Sequence, residues 1–245
     1  MAKNYRTVDP DRVAILGKHF TPGRGGRKIR YITRHHTAGV LNADQINNVW
    51  TTRPASAHYL IGVTGIVSQH VWDANTAWST ANSVSNQESI TIEHSNSAGA
   101  AQDWPIAAAT IDEGARWAAA LCHYYKLGRP QFGTNIRDHK QFTSTSCPYH
   151  LAAGGKYHDR YMRVAQAFYD ELTKPGAPAP APIPEEGFLM ALSDAEQREL
   201  LNKTRDIHAQ LGPWPQLGKN DKGQNLTLID AVADSRRKAG HNKES

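Results

Sequence analysis

Cysteine, charge and long apolar runs are all scarce in this chain of 245 residues. Two cysteines, Cys122 and Cys147, are too few to build a disulfide scaffold. No apolar run approaches the ~18 residues that a membrane helix needs, so we expect no stable membrane insertion. The polar start, MAKNYRTVDPDR, lacks the apolar segment of a secretory signal, and we therefore expect none.

The composition is that of a folded domain with a basic first part. Apolar residues make up 39% of the chain and charged residues 21%, which excludes a disordered chain, a coiled coil and a collagen-like repeat. The net charge of +5 falls within residues 1–173, which hold 18 Lys and Arg against 13 Asp and Glu. A basic surface on this part of the chain would attract anionic partners or would simply be solvated, and both interpretations stay open. Because aromatic residues do not interleave with the basic ones, we expect no nucleic-acid partner.

A proline-rich segment divides the chain. Residues 174–187, KPGAPAPAPIPEEG, contain five prolines and predict an extended, semi-rigid linker. The linker separates a domain of residues 1–173 from a tail of residues 188–245. The tail carries a capping-box pattern at Ser193 and Glu196 and reads as two short helices. Two short helices form little core alone, so we expect the tail to pack on the first domain, on a second copy of the chain or on the target.

The first domain mixes strand and helix patterns. Strand-like segments occupy residues 29–36, 57–63, 65–72 and 89–95, and Thr64-Gly65 predicts a hairpin between the middle two. Apolar residues at steps of three and four predict helices over 107–126 and 156–173, with a further short helix at 41–50. We therefore predict a mixed α/β domain, in which helices flank a central mixed β-sheet.

His139 and Cys147 are candidate metal ligands. They stand eight residues apart, and the segment between them, KQFTSTS, is typical of a loop. Zinc accepts imidazole nitrogen and thiolate sulfur, and three protein ligands leave a fourth position for water. The third ligand would come from His35 or His36 at a strand end. Taken alone, such a spacing is more often incidental, with the cysteine packed as a small apolar residue.

Four blocks together resemble one known family. RHHTAG (34–39), SAHYLIGVTGIV (56–67), SITIEHS (89–95) and DHKQFTSTSCP (138–148) look like the type 2 N-acetylmuramoyl-L-alanine amidases, which include phage lysins and peptidoglycan recognition proteins. The resemblance spans roughly residues 28–172, with the blocks in family order. The tail is similar to C-terminal segments of lysins from phages of actinobacteria.

The resemblance implies a cofactor and a set of site residues. The family's zinc ligands match His35, His139 and Cys147, so the implied cofactor is Zn²⁺. The carboxylate that moves protons in bacterial and phage members matches Glu93. A second catalytic position, two residues before the cysteine, is held here by Thr145.

This chain departs from the family pattern in two places. Ala57 stands where some members have a tyrosine, just before His58, and Ser79 follows Trp78 where many members have a histidine. His36, His58 and Trp78 are the candidates for substrate binding. For each of them a packing role stays open.

The implied activity is zinc-dependent hydrolysis of the amide between N-acetylmuramic acid and L-alanine in bacterial peptidoglycan, leading to host cell lysis. A phage lysin of this kind would wait in the host cytoplasm until a separate membrane-permeabilising protein releases it to the wall. The alternatives are a peptidoglycan-binding module without catalysis and a structural zinc site in a regulator. A structural site would need a fourth protein ligand.

Overall fold

The computed structural model describes residues 3–174 and the single position 219. The chain divides into two units, Met1–Pro178 and Ala179–Ser245, and residues 3–174 belong to the first. The predicted tail, and the predicted linker beyond residue 174, lie outside the described residues.

A six-stranded sheet organises residues 3–174, with helices packed against it. The strands are β1 (Arg12–Val13), β2 (Phe20–Thr21), β3 (Tyr31–His36), β4 (Tyr59–Ile61), β5 (Val67–Gln69), β6 (Thr76–Ala77), β7 (Ser89–His94) and β8 (Ile136–Asp138). The helices are α1 (Ala43–Thr52), α2 (Ser83–Glu88), α3 (Ala108–Tyr124) and α4 (His158–Thr173). The sheet order is β1-β5-β4-β7-β3-β8, and β2 pairs with β6 separately.

The sheet is mixed, as predicted, and most of its neighbouring strands are parallel. Strands β4, β7, β3 and β8 are parallel neighbours, whereas β5 runs antiparallel to β4 in the hairpin predicted at Gly65. Gly65 has a φ of +83°, a conformation that glycine adopts without a Cβ penalty. Because β7, β3 and β8 are parallel neighbours, their carboxyl ends lie at the same edge of the sheet.

Alternation along the strands buries both faces of the sheet. Ile90 and Ile92 of β7 point into a core shared with α3 and α4, as their spacing predicts, and Cys122 is fully buried there. Ile46 and Trp50 of α1 pack on the other side with Leu60 of β4. No helix in the described part of the chain is long and apolar enough to cross a membrane.

A glycine brings α3 close to the end of β7. A Cβ at Gly114 would collide with the His94 ring, so only glycine permits this approach. His94 is fully buried and donates its Nδ1 proton to the backbone oxygen of His35, at 2.7 Å. His94 points away from the face that carries Glu93, because neighbouring residues of a strand face opposite sides. Its contact holds the ends of β3 and β7 together.

The predicted helices and long strands are confirmed, but the shortest elements were missed. The helix predictions at 41–50, 107–126 and 156–173 correspond to α1, α3 and α4. Strands β1, β2, β6 and β8 contain two or three residues each, too few to show an alternating pattern. Helix α2 has six residues and was also not predicted. The missed strand β8 matters most, because it leads directly into His139.

Two buried histidines away from the cleft make the fold acid-sensitive. Burial lowers the pKa of His58 to about 3, with the charge of Arg24 adding to the effect, and lowers the pKa of His70 to about 4. Below about pH 6.5 the unfolded chain, with a histidine pKa of 6.5, therefore binds protons at these two residues that the native state does not bind. We expect the free energy of unfolding to fall as the pH drops from about 6.5 to about 4. Urea unfolding, measured with a chelator present, checks this.

The variant His70→Asn provides the control for this prediction. The variant lacks one of the two titrating rings, so its stability should depend less steeply on pH over the same interval. An unfolding free energy that stays constant from pH 7 to pH 4.5 in the unsubstituted protein would contradict the assignment.

Candidate active site

Three polar side chains leave the sheet at the same edge. Parallel pairing places His35 of β3 opposite Glu93 of β7, and Arg34 of β3 opposite Asp138 of β8. His139 follows Asp138 directly, so Glu93, His35 and His139 come from three neighbouring strand ends. Ligand sites of open parallel sheets lie at the carboxyl ends of their strands. A cleft of about 290 Å³ opens there.

A buried ion pair fixes the register of β3 against β8. The Arg34 guanidinium contacts Asp138 Oδ1 through Nε at 2.9 Å and through a terminal nitrogen at 2.7 Å, and both side chains are fully buried. The Tyr161 ring lies 4.9 Å from the guanidinium carbon. Asp138 Oδ2 accepts from the Ala153 backbone N–H at 3.1 Å. Since each charged residue precedes a histidine, the ion pair holds His35 and His139 side by side.

His35, His139 and Cys147 converge in space. The ring centroids of His35 and His139 are 4.4 Å apart, and His35 Nδ1 lies 3.7 Å from Cys147 Sγ. One potential ligand atom from each of the three residues lies within 4.8 Å of the others. Two ligands of a tetrahedral zinc ion, at about 2.0 Å and 2.3 Å from it, stand about 3.5 Å apart. The cluster therefore has the dimensions of a three-ligand metal site.

The chemistry of this cluster fits a metal ion as well. His35 Nε2 and both ring nitrogens of His139 are buried with no hydrogen-bond partner among the described residues. Burial lowers the pKa of both imidazoles and so favours the neutral form that ligates metals. Burial also raises the pKa of the Cys147 thiol, and the nearby Glu93 charge adds to this. A thiolate at this position requires a cation beside it, which zinc would supply.

Glu93 lies in the same cleft, next to this cluster. Its Oε2 atom is buried and has no hydrogen-bond partner within residues 3–174. Burial raises the pKa of Glu93 to about 8, while the positive charge of Arg53 acts in the opposite direction. A carboxyl group whose pKa lies near neutrality can both accept and return a proton.

Thr145 lies at the rim of the cleft, on the loop that carries Cys147. Its Oγ1 atom accepts a hydrogen bond from the Cys147 backbone N–H at 3.2 Å. Among the described residues the hydroxyl has no acceptor for its own proton, so it can donate to a group in the cleft. The same bond orders the backbone at Cys147.

His36 lines the cleft but is held by the protein. Its backbone N–H donates to Cys147 Sγ at 3.5 Å, and its Nδ1 lies 3.1 Å from Asn96 Oδ1. The Asn96 amide donates to the Trp104 carbonyl at 2.8 Å, which orients its oxygen toward His36. The ring stacks on Tyr149, with centroids 5.9 Å apart. His36 therefore positions the cysteine sulfur, and its ring edge borders the cleft.

Asp103 joins two loops behind the cluster, and the sequence did not reveal it. Its carboxylate accepts from the Tyr149 hydroxyl at 2.6 Å and from His150 Nε2 at 2.7 Å. Asp103, Trp104 and Tyr149 all have positive φ, which costs roughly 1–3 kcal/mol for each such residue. These bonds hold a strained segment against the Cys147 loop. No local pattern could show this, because the partners are 46 and 47 residues apart in the chain.

The two remaining substrate-binding candidates have different positions. Trp78 is 39% exposed and lines the cleft, with its indole N–H donating to Thr21 Oγ1 at 2.9 Å. His58 is fully buried, and its ring lies within hydrogen-bond distance of Thr91, Arg24 and the Asn75 carbonyl. His58 is also absent from the residues that line the cleft. The packing role that the sequence leaves open for His58 agrees with this burial, and substrate binding by His58 stays a prediction.

The sequence comparison identifies the family of the first part of the chain. Residues 25–150, about half of the chain, match the family described as N-acetylmuramoyl-L-alanine amidase. The chain belongs to the N-acetylmuramoyl-L-alanine amidase family. Residues 25–150 therefore form an amidase domain. This confirms the resemblance found in the four sequence blocks.

Solved structures share the fold of this amidase. The structure of PlyL has a TM-score of 0.51 and 20% identity, covering 62% of this chain and 95% of that one. Staphylococcus aureus hydrolase AmiA, solved in complex with its ligand, has a TM-score of 0.52 and 16% identity, covering 69% of this chain and 89% of that one. At such identities the likeness shows the fold.

The end of the amidase matches a different set of proteins. Residues 192–242 match the family described as the Rv3766 C-terminal domain. The uncharacterized protein Rv3766 of Mycobacterium tuberculosis (strain ATCC 25618 / H37Rv) is 60% identical over 52 residues. The match covers 19% of this chain and 19% of that protein, so the chain spans about a fifth of that relative.

Breaking the Arg34–Asp138 ion pair should lower the free energy of unfolding of the domain. The variant Asp138→Asn leaves the Arg34 guanidinium buried without its counter-charge. Removing one partner of a buried pair costs about 3–5 kcal/mol, so we expect a loss of this order in the free energy of unfolding. Urea unfolding with a chelator present measures it. The control Asp170→Asn breaks the exposed pair with Arg129 and should change little; equal losses in both variants would contradict the prediction.

Proposed function

We propose that this amidase uses one zinc ion, held by His35, His139 and Cys147, to hydrolyse the bond between N-acetylmuramic acid and L-alanine. The observation that carries the proposal is the convergence of the three potential ligand atoms within 4.8 Å of one another. Family membership supports the substrate class. In the described part of the chain no fourth His, Cys, Asp or Glu joins the cluster, which leaves room for water or substrate.

Glu93 serves as the group that moves protons in this proposal. When bound, zinc supplies Lewis acidity toward the scissile carbonyl and toward a water molecule. Glu93 accepts a proton from the attacking water, whose oxygen bonds to the carbonyl carbon, and passes the proton to the departing L-alanine nitrogen as the C–N bond breaks. The proposal is supported by the buried, unpartnered Oε2 atom, which needs such a partner.

Thr145 and Trp78 complete the proposed site. The Thr145 hydroxyl donates to the carbonyl oxygen as negative charge develops there, a contribution worth ~3–4 kcal/mol where comparable donors have been removed. Trp78 offers an exposed aromatic face in the cleft, which suits the apolar side of a sugar ring. His36 borders the substrate and keeps Cys147 in place.

We further propose that the enzyme is a phage endolysin that lyses a bacterial host. It would stay in the host cytoplasm until a separate membrane-permeabilising protein releases it to the wall. The arrangement of an amidase domain, a proline-rich linker and a tail supports this setting. In this proposal the tail of residues 188–245 binds the wall or a second copy of the chain.

Two variants separate metal binding from proton transfer. Glu93→Gln keeps the side-chain shape but cannot accept a proton, so the purified protein should retain zinc while amide hydrolysis falls at least about 100-fold. His139→Ala removes a ligand and should lose both zinc and activity. Zinc is measured by mass spectrometry of the metal, and hydrolysis by new amino termini released from purified peptidoglycan.

The same measurements distinguish the alternatives. Full activity after complete removal of zinc would contradict the zinc proposal. A wild-type protein that binds peptidoglycan but releases no amino termini would be a binding module without catalysis.

Deleting residues 188–245 tests the role of the tail. We expect the shortened protein to cleave soluble muramoyl peptides as before, because the tail lies outside residues 25–150 of the amidase match. Wall binding in a sedimentation assay, or the mass in solution by light scattering, should decrease. If both quantities stay unchanged, the tail neither binds the wall nor joins copies of the chain.

A further inference from the structure

One cation faces the proposed active site without a partner. Of the described residues that line the cleft, Arg53 is the only lysine or arginine. It is exposed, and within residues 3–174 its guanidinium makes no hydrogen bond or ion pair. Some arginines of the domain are paired, as Arg34 is with Asp138 and Arg160 with Asp112, and others, such as Arg163, are exposed away from the cleft. The guanidinium of Arg53 is therefore available to a ligand in the cleft.

The backbone at Arg53 is held in place, although the side chain is open. Arg53 ends α1, and its N–H donates to the Val49 carbonyl at 2.9 Å. Its own carbonyl accepts from the Ala55 N–H at 2.8 Å, and Pro54 restricts it to the extended conformation it adopts. A fixed backbone presents the guanidinium from a constant point on the cleft wall, which lowers the entropic cost of binding.

Arg53 and Glu93 line the same cleft. Within residues 3–174 no ion pair forms between the two side chains. The guanidinium therefore borders the same cleft as the proposed zinc ligands and Glu93, with its donors unused among the described residues. A planar guanidinium binds a carboxylate through two parallel hydrogen bonds.

We propose that Arg53 binds the first carboxylate of the peptide that follows the scissile amide. This inference rests on the proposed function. In the stem peptide of peptidoglycan, L-alanine is followed by D-glutamate, whose α-carboxylate is either free or amidated. It stands within about 7 Å of the scissile bond, the span of two extended residues. Arg53 therefore determines a preference for the free carboxylate over the amide.

The proposed contact forms in the bound substrate and persists in the transition state. Removing such a uniform interaction raises KM and leaves kcat nearly unchanged. A role through Glu93 would instead lower kcat on every substrate, because Glu93 acts in the chemical step. The ratio of activities on charged and amidated substrates therefore separates the two roles.

The test uses two soluble muramoyl tripeptides that differ only at the second residue, D-isoglutamate or D-isoglutamine, with the full-length zinc-loaded protein. Wild type should prefer the free carboxylate by about tenfold in kcat/KM, as expected for one charge-assisted hydrogen-bond pair. Arg53→Gln should raise KM for that substrate about tenfold and leave the amidated one unchanged. Arg53→Lys should restore part of the preference, since lysine keeps the positive charge but lacks the two parallel donors of the guanidinium.

Arg163→Gln serves as the matched control, because Arg163 is exposed on α4 outside the residues that line the cleft. Equal losses on both substrates in Arg53→Gln, or no preference in wild type, would overturn the inference and leave the proposed function standing. Failure of wild type to cleave either substrate would contradict the proposed function and this inference with it.

Discussion

The parallel pairing of β3 with β8, fastened by the buried Arg34–Asp138 ion pair, is the constraint on which the site depends. Both side chains are fully buried and joined at 2.7–2.9 Å. A shift of one residue in this register would turn His139 to the other face of the sheet. It would also leave two charges unpaired in the core, so the interaction that holds the strands together also specifies where the histidines emerge.

Three side chains that line the cleft at this end of the sheet each carry a buried polar atom without a partner among the described residues. Among the described residues away from the cleft, His70 is satisfied by Asn47 and Ser68, whereas His94 Nε2 and His123 Nδ1 are buried without a partner. At the cleft, His35, His139 and Glu93 each keep a buried atom without a hydrogen bond. Buried polar atoms without a partner destabilise a fold unless a ligand bonds to them. Such atoms are typical of functional sites. The remaining structure, including the Asp103 contacts, stabilises this arrangement.

Long periodic segments of the fold were predictable from sequence, and short or distant features were not. The apolar alternation at Ile90 and Ile92 indicates both the strand and the side that Glu93 faces. Strand β8 has three residues with one apolar side chain, so no period could reveal it. His58 stands in a family block, but its burial depends on contacts with Thr91 and Arg24 that only the folded chain makes. The grouping of His35, His139 and Cys147 followed from resemblance, since their spacing alone is ambiguous.

X-ray absorption at the zinc edge of the full-length protein tests the central claim most directly. The account predicts a coordination shell with one sulfur at about 2.3 Å and nitrogen or oxygen ligands at about 2.0–2.1 Å. The sulfur contribution should disappear in Cys147→Ser. A zinc shell without sulfur, or a sulfur contribution that persists in that variant, would contradict the proposal that these three side chains hold one ion.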